Sequence, residues 1–156
     1  MDKTLESKNE FQRLYTEYFD CVYRICFLYM KSESDALDVT QEVFLKMLEN
    51  LKPKDDEKSK AWLIVTASNC CKTHLKKWWR AKRSDPNDAT NERTIETNEV
   101  LKLVLELEEK YRIPTYLYYY EGYTTGEISK ILKTNQSTIQ TRLAKARELL
   151  KIELGG

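Results

Sequence analysis

Phe11, Leu14, Tyr15, Tyr18, Val22, Ile25, Cys26 and Tyr29 recur at steps of three and four residues, the spacing that gathers apolar side chains on one face of an α-helix. Ser32 or Ser34 is placed to cap a second helix running to about Asn50. Ala36, Val39, Val43 and Met47 form its stripe, flanked by Leu37, Phe44, Leu48 and Leu51. Pro53 and the run Lys54-Asp55-Asp56-Glu57-Lys58 read as an exposed loop. A third helix is expected from near Ser59, with Leu63, Ala67, Cys71, Leu75 and Trp78 on one side and a basic end at Lys76–Arg83. From Ser84 to Asn98 apolar residues almost vanish, so the segment buries too little surface to offset its ordering entropy and is expected to be a flexible linker.

Helical periodicity resumes at Val100, Leu101, Val104, Leu105 and Leu107. Pro114 then interrupts a helical pattern and should open a new helix or kink this one. Thr124-Thr125-Gly126-Glu127 has capping-box spacing, with Thr124 accepting from the Glu127 amide while the Glu127 carboxylate reaches back. Ile128, Ile131 and Leu132 follow on one side of a short helix. Lys133-Thr134-Asn135 reads as a turn, and a last helix places Ile139, Leu143, Ala146 and Leu150 inward. Its other side shows Gln136, Ser137, Thr138, Gln140, Thr141, Arg142, Lys145 and Arg147. A short helix, a tight turn and a second helix with a polar, basic outer face suit entry into a DNA major groove. Arg and Gln there can read base edges, while Lys, Ser and Thr more often hold the backbone. Tyr116, Tyr118, Tyr119, Tyr120 and Tyr123 are expected to pack, with at most one or two exposed.

Only four Gly and three Pro in 156 residues favour an all-α fold over a turn-rich β fold. Lys+Arg (26) nearly balances Asp+Glu (25), but the charges are segregated. Lys72–Arg83 and Lys130–Lys151 are basic, whereas Asp85–Glu99 is mostly acidic, suggesting two contact surfaces for a polyanion. The N-terminus lacks a signal-peptide layout, and no apolar run approaches the roughly 20 residues that span a bilayer; a soluble, cytoplasmic protein is expected. Cys21, Cys26, Cys70 and Cys71 show no metal-ligand pairing, and His74, the single histidine, follows Cys70 by one helical turn. Two such ligands do not make a zinc site, so neither metal nor cofactor is expected.

The stretch from Tyr119-Tyr120-Glu121-Gly122-Tyr123-Thr124 to Leu143-Ala144-Lys145-Ala146-Arg147 resembles region four of the bacterial extracytoplasmic-function sigma factors. Asp35-Ala36-Leu37-Asp38-Val39-Thr40-Gln41-Glu42-Val43-Phe44-Leu45 and Ala61-Trp62-Leu63 through Ala67-Ser68-Asn69 resemble region two. The resemblance implies two small helical domains, at 1–83 and 99–156, joined by the linker at 84–98. It implies that Asp38, Gln41, Glu42 and Leu45 dock on the clamp coiled coil of the polymerase largest subunit. Asn69, Lys76, Lys77, Trp79 and Arg80 would engage the minus-ten element, with Trp78 or Trp79 stacking on a base. The eight outer residues of the last helix would engage the minus-thirty-five element. By the same resemblance the chain binds core RNA polymerase and promoter DNA, is a monomer when free, has no catalytic activity, and belongs to a family often restrained by a membrane-linked anti-sigma factor.

This sequence departs from the family pattern in places. Leu37 stands where many members carry Glu, Val65, Ser68 and Thr73 replace common DNA-facing residues, and Lys133 replaces the frequent turn Gly. That turn must avoid a positive φ or carry a modest cost. Two rivals remain. A stand-alone helix-turn-helix regulator would leave the acidic face of the second helix unexplained. An enzyme using Tyr118, Tyr119 or Tyr120 as nucleophile would lack the convergent Arg and His groups that such chemistry needs.

Overall fold

The computed structural model describes residues 3–50, 55–81 and 99–153, and among them there is no strand. The elements are α1 (Lys3–Met30), α2 (Glu33–Glu49), α3 (Asp56–Ala81), α4 (Glu99–Leu105), α5 (Glu109–Thr115), a π-helical turn (Tyr116–Tyr120), α6 (Thr125–Leu132) and α7 (Gln136–Glu153). The fold is all-α. The chain divides into two compact units between residues 91 and 92. The linker expected at 84–98, and with it Lys82 and Arg83, lies outside the described residues.

In the first unit, α1 packs against both α2 and α3. Leu14, Val22, Ile25 and Cys26 form the expected inward stripe, all essentially inaccessible. A second stripe runs beside it. Phe11, Tyr15, Phe19, Tyr23 and Phe27 stand at four-residue steps with successive ring centroids 5.3–6.2 Å apart, and Phe44 of α2 lies 4.7 Å from Tyr15 and edge-on to Phe11. The turn into α2 uses Lys31 in the left-handed region (φ 57°). Ser32, rather than Ser34, then caps α2 by accepting from the Asp35 amide at 3.3 Å.

The third helix starts three residues earlier than its apolar pattern indicates. Asp55 accepts from the Lys58 amide through Oδ1 at 2.8 Å, and its carbonyl accepts from Ser59 N. Asp55 is therefore the N-cap, and Asp56, Glu57 and Lys58, read as loop, form the first turn, where the two carboxylates oppose the helix dipole favourably; Lys54 lies outside the described residues. Arg13 of α1 clasps Asp56 with two hydrogen bonds, of 2.9 and 3.0 Å, and also reaches Glu10 and Glu17. Trp78 is half-buried on the α3 stripe, whereas Trp79 is 51% exposed.

In the second unit, α7 packs on α5 and α6, with Leu101, Val104, Ile113, Leu117, Ile128, Ile139, Leu143 and Ala146 buried between the helices. Pro114 neither opens nor ends a helix. It is the sixth residue of α5, and without an N–H it cannot complete the bond to the Lys110 carbonyl. Two residues on, the chain widens into a π-turn closed by Glu121 N donating to the Tyr116 carbonyl. This changes the fate of the tyrosines: Tyr116 and Tyr123 are buried, but Tyr118, Tyr119 and Tyr120 are all exposed. A π-turn takes more residues per revolution than 3.6, so three consecutive rings swing outward and the expectation of one or two fails. Gly122, at φ 79°, ends the segment in a conformation that disfavours any side chain.

Among the described residues all four cysteines are free and buried, no cluster of three metal-ligating side chains occurs, and no helix is long and apolar enough to cross a membrane. Burial pushes the Cys70 thiol up to about 11.

Phe44→Ala should cost roughly 3–5 kcal/mol of stability, measured by denaturant unfolding, because the ring is buried among three aromatic neighbours. The hydrogen bonds from Arg13 hold the Asp56 carboxyl below its usual range. Its contribution is then fully present above the ordinary carboxylate pKa of about 4 and is lost as pH falls through the depressed value. Asp56→Asn should shallow that acid limb in pH-dependent melting while leaving the neutral and alkaline limbs parallel to wild type.

Candidate functional site

The inward set of α2 decides what it presents outside. With Ala36, Val39, Val43, Phe44 and Met47 buried, the 100° step between residues turns Leu37, Asp38, Gln41, Leu45 and Leu48 outward together. Leu45 is 58% exposed, and Leu37 and Leu48 are exposed as well. The face is therefore an apolar band around Gln41, edged by Asp38. Gln41 is steadied by a 3.1 Å hydrogen bond to the Tyr15 hydroxyl. Glu42 sits at the edge of this group and turns toward α3, where its Oε2 lies 2.9 Å from His74 Nε2. Leu37 stands on this face as the resemblance implies, whereas Leu48 was missed as a member of it. Its signal was present in the sequence, since 37, 41, 45 and 48 are helical neighbours outside the core stripe.

On α3, Asn69, Lys76 and Arg80 lie along one line of the helix, with Lys77 and Trp79 to either side, and all five are exposed. Lys76, Lys77 and Arg80 form no ion pair among the described residues. Asn69 and Lys77 border a groove of about 370 Å3 between α2 and α3, into whose walls Trp62, Glu42, Glu49 and His74 also project. The exposed Trp79 ring meets Trp78 edge-on at 5.1 Å.

In the second unit the helix-turn-helix is built as its spacing requires. Thr124 Oγ1 accepts from Glu127 N at 3.1 Å while Glu127 Oε1 accepts from Thr124 N at 2.9 Å, completing the capping box of α6. Lys133 takes the left-handed conformation (φ 54°, ψ 47°) that ends α6, so the turn carries the cost of a side chain there. Asn135 opens α7, its carbonyl accepting from Ile139 N.

The outer residues of α7 are not one surface. Ser137, Thr138, Thr141, Arg142 and Lys145 share a side and border one groove. Gln136 is exposed but donates to Thr125 Oγ1 at 2.8 Å, tying α7 to α6. Gln140 is exposed on that flank of the helix. Arg147 is turned to a different, apolar cleft lined by Leu101, Val104, Tyr116, Tyr119 and Leu150.

Two sequence families match this chain in order: Sigma-70 region 2 over residues 14–81 and Sigma-70, region 4 over residues 97–150. The chain belongs to the sigma-70 family, in its extracytoplasmic-function group. It is 26% identical over 145 residues to the RNA polymerase sigma factor SigV of Bacillus subtilis (strain 168), covering 89% of this chain and 87% of the relative. It is 25% identical over 163 residues to the ECF RNA polymerase sigma factor SigW of the same organism, covering 88% and 84%. Among solved structures its fold is similar to that of the sigma factor RpoE from Bartonella quintana, crystallised with the anti-sigma factor NepR (TM-score 0.73, 16% identity, 94% of this chain and 97% of that one). It is also similar to CnrH in complex with the cytosolic domain of CnrY (TM-score 0.66, 20% identity, 95% and 89%).

The sigma-70 region 2 match thus spans the described part of α3 and the α2 face, and the region 4 match spans α4 through most of α7. Within region 4, Lys133→Gly should stabilise the protein by about 1 kcal/mol, because the side chain is exposed and only its positive φ is relieved. Thr124→Ala should destabilise it by about 1 kcal/mol through loss of the cap. Urea unfolding of the two variants reads both.

Proposed function

We infer that this chain is a sigma factor: it binds core RNA polymerase and directs the enzyme to promoters. The observation that carries the reading is a pair of outward faces with different chemistry in one chain. The α2 face of Leu37, Asp38, Gln41, Leu45 and Leu48 is apolar and weakly acidic, suited to a protein surface and not to DNA. The α3 and α7 faces are basic and hydroxyl-rich, suited to DNA. A stand-alone regulator has use for the second kind only.

In this reading the clamp coiled coil of the polymerase largest subunit docks on the α2 face. Leu45 and its apolar neighbours supply the contact area, and Asp38 and Gln41 fix its register. Glu42 contributes through its pair with His74, which braces α2 against α3 beside the DNA-facing groove. Along α3, Lys76, Lys77 and Arg80 neutralise phosphates near the minus-ten element, Asn69 offers an amide to a base edge, and the exposed ring of Trp79 offers a stacking surface. The α7 helix lies in the major groove at the minus-thirty-five element. Arg142 is the base reader there, with Ser137, Thr138, Thr141 and Lys145 holding the backbone. Gln140 reaches bases from the other flank, Gln136 positions α6, and Arg147 stands apart from this group.

The chain performs no chemistry itself; the polymerase makes the RNA. It acts in the cytoplasm, as a monomer before polymerase binds, with domains at 1–83 and 99–156 and a linker between. A structure of similar fold, that of RpoE, was solved with the anti-sigma factor NepR bound, which supports a regulator of that kind here.

Replacing Asp38, Gln41 and Leu45 together with Ala should cost on the order of 2 kcal/mol of affinity for core RNA polymerase, about 30-fold in Kd. Co-elution of purified protein with core enzyme measures it, with thermal melting to confirm the fold. Unchanged binding would remove the α2 face from the interface.

A further inference from the structure

Lys110 and Tyr111, at the start of α5, belong to no segment that sequence marked for DNA. They nevertheless face the Thr138, Thr141, Arg142 and Lys145 side of α7 across a cleft of about 490 Å3. Three cations and several hydroxyls border this cleft, and no carboxylate is among its lining residues. The Lys110 ammonium is held over the Tyr111 ring at 5.2 Å from its centroid, a contact that fixes direction without neutralising charge. Its one ion pair among the described residues is loose, 3.9 Å from an Oε2 of Glu108 that is itself largely exposed. Lys145 is as loosely engaged, 4.0 Å from Glu148. Both ammonium groups are thus free to exchange a weak surface contact for a stronger anion, since exposed pairs of this length contribute little.

We propose that Lys110 grips a DNA backbone phosphate beside the recognition helix, so that α5 and α7 together form a two-sided phosphate clamp and Tyr111 holds the ammonium aimed at it. The proposal rests on α7 being the DNA-reading helix. A duplex seated on the Ser137–Lys145 side of α7 must run one sugar-phosphate strand along this cleft, because phosphates flank the major groove in which such a helix lies. A backbone contact of this kind positions the duplex without reading its sequence.

The test uses holoenzyme assembled from the full chain and core RNA polymerase. It is titrated against promoter duplexes with a matched or a scrambled upstream element over a series of salt concentrations. Lys110→Ala should lower the slope of log affinity against log salt by about one and weaken both duplexes by the same factor. Lys110→Arg should keep the slope. Arg142→Ala should instead narrow the difference between matched and scrambled duplexes. If Lys110→Ala retains the wild-type slope and affinity while Arg142→Ala narrows the difference, Lys110 holds no phosphate and the proposal is wrong, with the reading of α7 intact. If Arg142→Ala leaves discrimination unchanged, the reading of α7 fails and takes the clamp with it.

Discussion

The inward stripe of α2, Ala36, Val39, Val43 and Met47, with Phe44 at its border against the aromatic ladder of α1, sets the rotation of α2, and the rotation of α2 sets what the first unit shows to its surroundings. The Phe44 ring is almost fully buried and touches Phe11, Tyr15 and Phe19. With Ala36, Val39, Val43 and Met47 turned inward and Phe44 at the border of that stripe, a helix of 3.6 residues per turn carries Leu45, Gln41, Asp38 and Leu48 outward. Leaving three leucines on that face is unfavourable for an isolated domain, and becomes favourable when a partner covers them. Core and exposed face are thus two sides of one helical period. The Gln41 bond to Tyr15 ties them together, since the same α1 ring that packs on Phe44 also steadies a residue of the outer face.

The second unit uses the same constraint on α7. Ile139, Leu143 and Ala146 turn inward, which presents Ser137, Thr141 and Lys145 opposite them. The capping box fixes where α6 begins, the left-handed Lys133 fixes where it ends, and the Gln136 bond to Thr125 locks the start of α7 against α6. Each is a local contact, and together they orient α7 and its outer groups relative to α6. Here a sequence that departs from the usual turn glycine keeps the geometry and carries the strain.

Elements with strict periodicity were legible from sequence: the inward stripes of α1, α2 and α7, and the capping box, whose spacing determines its hydrogen bonds. What escaped depends on competition between local and tertiary terms. Asp55 and Asp56 look like loop by composition, but a cap and the Arg13 clasp recruit them into α3. The π-turn follows from closure around Pro114 and Gly122 and cannot be read from a 3.6-residue period, so the exposure of Tyr118, Tyr119 and Tyr120 was misjudged. At the candidate site, counting polar residues on α7 put Arg147 with Arg142, although the angle between them around the helix is large and they border different clefts. The single histidine looked incidental because its partner, Glu42, is 32 residues away in sequence.

Net charge is nearly zero across the chain, yet Lys76, Lys77 and Arg80 carry charge that no ion pair among the described residues offsets. Segregated charge of this kind steers a polyanion to chosen surfaces without making the whole molecule sticky, and the proposed function assigns the α2 face to a protein. The most direct test of this division of labour is transcription in a defined system, mapping RNA 5′ ends made by bacterial core polymerase on genomic DNA with and without the purified chain. The account predicts new starts, each preceded at fixed spacing by two shared sequence elements, that appear only when the chain is added. Identical start sites with and without it, from a chain that still binds duplex DNA, would contradict the account and leave a DNA-binding regulator that does not act as a sigma factor.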